Sequence, residues 1–260
     1  MVTKKEVHRL LKNAGIRPDD TVLIHTSMKA IGEVDGGCDG LIDAFCSYLT
    51  DGLFLVPTHT WANVDESSPV YDVRATVPCI GALPRVAARR EDGVRSLHPT
   101  HSIVAFGKKA AEFVAGEERA TSPCPQGFAW SRLYDKKAKI LLLGVGLNRN
   151  TYIHAIDEML ELPNRLTPPI PLSIIDYEGK RLEISFRKHG FTGSENFDNF
   201  AKPLEKCGAL TYSTLGDARV GIFDTVKGTA MIKHLWQVAS YHLCQEQMDI
   251  PENYYKDTEI

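Results

Sequence analysis

Apolar positions along the 260-residue chain fall into short unbroken runs separated by stretches of helical spacing. The runs at residues 21–26, 53–57, 103–106 and 140–143 predict strands buried on both faces. Helices are predicted over residues 41–49, 81–90, 108–114 and 128–134. Thr3 followed by Glu6 is a capping-box pattern, which predicts a helix from there to about Ala14, ended by Gly15. The run at 140–143 enters Gly144-Val145-Gly146, then a polar loop at Asn148-Arg149-Asn150, and Thr151 stands where it would cap a further helix. Alternation of strand and helix predicts an α/β fold with a largely parallel central sheet flanked by helices.

After Pro163 the pattern changes. Segments 172–176 and 181–187 alternate around Glu178-Gly179 and predict a β-hairpin. Short strands are expected at 210–214 and 219–223, and helices at 196–206 and 225–243. This reads as a β-rich C-terminal addition to a single domain spanning residues 1–260. Segment 62–78 shows no period, and long irregular loops are often functional, so it is a candidate substrate loop.

Composition narrows the class. With 43% hydrophobic and 24% charged residues the chain reads as a soluble globular protein. A net charge of -3 argues against a nucleic-acid partner. No run of about 18 apolar residues predicts a membrane span. Residues 1–11 are charged and lack the apolar core of a signal peptide, so a cytoplasmic location is expected. The six cysteines form no C-x-x-C pair and are expected as free thiols.

The chemistry concentrates after the 140–143 strand. On the helix opened by Thr151, His154 shares a face with Asp157 and Glu158, three and four residues on. A histidine oriented by a carboxylate is a general base suited to neutral pH. In α/β proteins that site, beyond the carboxyl end of a strand, is where ligands bind. Thr151, or backbone N–H groups at the helix start, can donate to an oxyanion. His59, His98 and His101 suggest a metal-dependent hydrolase as the alternative, but no H-E-x-x-H or cysteine pair supports one, and no metal is expected. His25 reads as a buried hydrogen-bonding residue slightly ahead of a catalytic one. Cys124 lacks a nearby base.

Three ordered blocks also carry a family resemblance. His25-Thr26-Ser27-Met28-Lys29-Ala30-Ile31-Gly32 is the first; Arg95-Ser96-Leu97-His98-Pro99-Thr100-His101-Ser102 with Ala105-Phe106-Gly107 is the second; Gly144-x-Gly146 with Asn150-Thr151-x-x-His154 and an acid three residues on is the third. In this order they resemble the aminoglycoside 3-N-acetyltransferase family of antibiotic N-acetyltransferases, well over about residues 1–170 and loosely beyond. The resemblance implies acetyl-CoA as co-substrate, a small-molecule amine as acceptor, antibiotic resistance as a role, and His154 as the base. Its acid falls on Asp157 where the family has Glu, so either Asp157 or Glu158 is expected to orient His154. Cofactor contacts are implied around Thr26, Ser27, Lys29 and Gly32, and around Arg95, Ser96 and Ser102. For a polycationic acceptor, carboxylates such as Asp65 and Asp72 are the expected lining, with Glu66 and Glu161 also available and His189 a candidate beside them. A binder that keeps the fold without activity is a third reading, and a homodimer is an open option.

Overall fold

The computed structural model describes residues 1–190, 193–239, 243–258 and 260. A seven-stranded sheet forms the centre. Its strands are β1 (Thr21–Thr26), β2 (Leu53–Pro57), β4 (Gly93–Arg95), β5 (Ile103–Phe106), β6 (Lys139–Leu143), β9 (Leu210–Leu215) and β10 (Ala218–Asp224). They lie side by side in the order β4-β5-β2-β1-β6-β10-β9. Helices α1 (Lys4–Asn13), α3 (Gly37–Tyr48) and α4 (Ala82–Ala87) contribute to one apolar layer; α6 (Ala129–Asp135), α7 (Tyr152–Met159), α8 (Ala201–Lys206) and α9 (Thr225–Ala239) contribute to the other. Short helices α2 (Met28–Ile31) and α5 (Ala110–Phe113) follow β1 and β5. The last part of the helix expected over 225–243, residues 240–242, lies outside the described residues.

Alternation within the central strands explains the two layers. Leu23, Leu55, Ile140 and Leu142 enter one core, while Val22, Ile24, Phe54, Val56, Leu141 and Leu143 enter the other. Both faces are therefore apolar, and the strands read as unbroken runs. The expectation of a largely parallel sheet is corrected by the register. Within this sheet, among the described residues, parallel pairing is confined to β1 with β2 and with β6; β5 and β4 on one side, and β10 and β9 on the other, add antiparallel. Only Gly216 and Asp217 separate β9 from β10, far short of the dozen or more residues a parallel crossover needs.

The β-rich addition is smaller than expected and is not wholly C-terminal. A three-stranded sheet joins β7 (Leu166–Ile175) and β8 (Arg181–His189) to β3 (Val70–Asp72), which comes from the segment read as irregular. Val64, Tyr71 and Val73 anchor that segment in a third small core with Leu172 and Phe186. Pro168, Pro169 and Pro171 lie within β7, where β3 does not pair. An unpaired side needs no N–H from proline.

Glu117 has no exposed surface and accepts a bond from the Ala129 N–H at the start of α6, 2.7 Å away. Burial raises its carboxyl from 4.5 to about 7. The folded chain thus keeps a proton that the unfolded chain has released, so this group's contribution to stability falls as pH rises from about 4.5 to about 7. Glu117→Gln is expected to gain stability relative to the parent on going from pH 5 to pH 8. Urea midpoints at the two pH values measure this, and an equal offset at both would contradict it.

Candidate active site

The carboxyl ends of the three parallel strands open into a cavity of about 840 Å³. Its wall takes Ile24, His25 and Thr26 from β1, Val56 and Pro57 from β2 with His59 just beyond, and Val145 after β6. At Gly144 (φ +68) the chain turns back hard against the Cβ of Ala30, which stands where a Gly144 side chain would begin, so only glycine fits there. Asn148, Arg149, Asn150, Thr151 and His154 complete this side, and Lys188 and His189 arrive from the end of β8.

Helix α7 starts differently from the expectation. Thr151 is already helical and its hydroxyl makes no cap bond. Asn150 Oδ1 instead accepts from the Tyr152 N–H at 3.3 Å, and Thr151 Oγ1 bonds His59 Nε2 at 3.0 Å. With Tyr152, Ile153, Ala155 and Ile156 in the core, the polar face presents His154 to the cavity.

The two acids following His154 go separate ways. Asp157 Oδ2 stands 4.0 Å from His154 Nδ1 and 3.4 Å from Arg165 Nη2. Burial raises the Asp157 carboxyl to about 7, against the pull of the Arg165 charge and the Trp236 indole. Glu158 turns away from His154. Its Oε1 accepts from His189 Nε2 and the Cys124 N–H, both at 2.8 Å, and its Oε2 from Ser122 Oγ at 2.5 Å. The His154 ring makes no hydrogen bond among the described residues; it packs on His189 (4.5 Å between centroids) and Phe197 (5.0 Å). Burial first, then the neighbouring His189 ring, the Arg165 charge and the His59 ring, disfavour a positive charge on it and hold its pKa well below the usual imidazole value. The neutral, proton-accepting ring is the form present at neutral pH.

Trp130 is buried behind the wall, under two of its histidines. Its ring stacks on His59 (5.4 Å) and His25 (6.2 Å), and its Nε1–H donates to the His101 carbonyl at 2.9 Å. Burial lowers the His25 pKa to about 3. Four buried polar atoms on residues of this wall have no partner: His25 Nε2, Thr26 Oγ1, His59 Nδ1 and Asn150 Nδ2. Buried polar groups are normally paired, so this cluster fits a polar ligand. Neither Asn150 on the wall nor Trp130 behind it was foreseen. The Asn150 signal was its place directly before Thr151; nothing local marks Trp130.

Other expected contacts lie elsewhere. Arg95 donates to the carbonyls of Val73 (3.1 Å), Thr76 (2.7 Å) and Thr58 (3.3 Å), tying the 62–78 segment to the sheet edge. Ser96 Oγ accepts from the Ile103 N–H (3.1 Å) and Ser102 Oγ donates to the Thr58 carbonyl (2.8 Å). None of the three is on the cavity wall. Ser27 caps α2, Lys29 is exposed, and Gly32 makes the turn after α2 at φ +85. Asp65 and Asp72 accept bonds from the N–H groups of their own turns, and Glu66 and Glu161 are likewise off the wall. Among the described residues, no carboxylate lines the cavity, whereas Arg149 and Lys188 do.

The metal alternative meets the same spending of ligands. His98 Nδ1 accepts from the Thr100 and His101 N–H groups and Nε2 donates to the Ser122 carbonyl, leaving it no lone pair for a metal. Among the described residues, Cys124, Glu158 and His189 bring metal-ligand atoms within 4.8 Å of one another. The Glu158 oxygens, however, already take three hydrogen bonds there.

A histidine-lined cleft at the ends of parallel strands marks a ligand-binding α/β protein, and its fold is that of solved aminoglycoside acetyltransferases. A variant of AAC(3)-IVa in complex with a gentamicin superposes with a TM-score of 0.79 at 22% identity, over 92% of this chain and 89% of that one. AAC-IIIb in a binary complex with CoASH does so at 0.78 and 20%, over 90% and 96%. In sequence, aminoglycoside N(3)-acetyltransferase III of Serratia marcescens is 27% identical over 85% of this chain and 89% of its own length. The prophage-derived aminoglycoside N(3')-acetyltransferase-like protein YokD of Bacillus subtilis is 25% identical over 85% and 88%. The model of the aminoglycoside 3-N-acetyltransferase family matches residues 23–237, and the chain belongs to that family. No described helix is long and apolar enough to cross a membrane.

Proposed function

We propose that this protein transfers the acetyl group of acetyl-CoA to the 3-amino group of an aminoglycoside, by direct attack in a ternary complex with His154 as general base. The observation that carries the reading is His154 itself: a neutral imidazole, unbonded among the described residues, aimed into the cavity of a chain that belongs to this family. The names of the relatives and the CoASH and gentamicin complexes of the structural neighbours support both co-substrates.

Each part of the wall then has work to do. Arg149 and Lys188 supply positive charge for the phosphates of CoA, and Thr26 Oγ1 a hydroxyl free to bond. Thr151 Oγ1 and Asn150 Nδ2 are donors for the thioester oxygen as it becomes negative. Asp157 stands behind His154 at 4.0 Å and favours its protonated form as the amine proton arrives. Acetylation removes the positive charge of the target nitrogen, which is the basis on which the reaction would confer resistance. The test is drug-dependent release of the CoA thiol, with the acetyl group found on the 3-amino nitrogen.

A further inference from the structure

The geometry points to His189, held by Glu158, as a second proton-transfer residue that works beside His154 on the same amine nitrogen. This inference rests on the reading of the cavity as an acetyl-transfer site. Both rings line the cavity and their centroids are 4.5 Å apart. His189 Nε2 is committed to Glu158 Oε1 at 2.8 Å, which leaves Nδ1 for a ligand. Glu158 is itself fixed by Ser122 Oγ and the Cys124 N–H. His189 therefore has what His154 lacks, a directly hydrogen-bonded carboxylate to stabilise an imidazolium.

The proton count of the reaction asks for two such groups. A basic amine enters at neutral pH as an ammonium with three N–H protons, and the amide product keeps one. His189 Nδ1 takes the first proton and passes it to solvent, leaving a nitrogen lone pair. As that lone pair forms the bond to the thioester carbon, His154 takes the second proton. The carbon–sulfur bond then breaks with its electron pair on sulfur, and His154 returns its proton there. Ammonium and thioester thus become amide, thiol and one solvent proton, with no other reactant. Glu158 is the positioning residue in this scheme.

A plain structural role for the pair would tie β8 to α7 and nothing more. The two roles differ in their pH dependence. The groups facing His189 are Glu158, His154, His101 and the Cys124 thiol, with His59 and His98 nearby and Lys188 next in the chain. His189→Gln is expected to lower kcat for thiol release about 10-fold or more at pH 7. That loss should shrink toward the parent rate as pH passes the acceptor amine's own pKa, where the ammonium no longer needs deprotonation. Glu158→Gln, which keeps a hydrogen-bonding group without the charge, should show the same pH-dependent defect. His154→Ala should stay impaired throughout. A loss in both His189→Gln and Glu158→Gln that is equal at every pH, or no loss in either, overturns the inference while leaving acetyl transfer intact. A parent protein that acetylates no amine overturns both.

Discussion

His154→Ala is expected to lower turnover by at least about 100-fold, the usual lower scale for loss of a general base. The ring is the member of the third sequence block that faces the cavity with no hydrogen bond to spend inside the protein, among the described residues. Its surroundings keep the free ring neutral, so a nitrogen lone pair is available to the amine, and the charge the ring gains there falls beside Asp157 at 4.0 Å. It also makes little structural contribution beyond contact with His189 and Phe197, so the variant should fold and still bind CoA. The comparison is kcat for thiol release in parent and variant, with CoA affinity measured by calorimetry as the control. Turnover within a few-fold of the parent would remove His154 from the mechanism.

Trp130→Ala is expected to destabilise the fold by about 3–5 kcal/mol, the range for emptying a buried aromatic site. Trp130 is fully enclosed, sits in the larger core and carries the His101 carbonyl on its indole N–H. It is also the surface on which His25 and His59 stack. A loss of this size is a large part of the roughly 5–15 kcal/mol that holds a typical domain together. Urea denaturation measures it. A loss below about 1 kcal/mol would mean that the histidines can be held without this support.

How much of this could be read in the sequence depended on whether the signal was local. The central strands were legible because burial on both faces leaves an unbroken apolar run. Strand direction was not, because the same run serves parallel and antiparallel neighbours. The short connection through Gly216-Asp217 was the readable hint that β9 and β10 form a hairpin. The first half of β7 was not read as strand because Pro168, Pro169 and Pro171 tell against one, and a sequence does not show which side of a strand lacks a neighbour.

The site divides in the same way. His154 with Asp157 and Glu158 on one helical face followed from spacing alone. Which acid met which ring did not, because Glu158 is taken by His189, 31 residues away, and by Ser122, 36 away. Arg95, Ser96 and Ser102 have the donors that a phosphate needs, but backbone carbonyls and turns need the same donors. Only the fold shows that Arg95 holds the 62–78 segment, while Ser96 and Ser102 are taken by the Ile103 N–H and the Thr58 carbonyl. The expected acidic lining failed for a related reason: Asp65 and Asp72 are spent on their own turns.

The central claim is best tested by measuring CoA thiol release from acetyl-CoA, with and without aminoglycosides that carry a 3-amino group. Little release is expected without the drug, rapid release with it, and one acetyl group on the 3-amino nitrogen of the product. CoA binding with no drug-stimulated release would contradict the proposed acceptor. Since Arg149 and Lys188 line the cavity and no described carboxylate does, that result would direct the search to amines that carry an anionic group of their own.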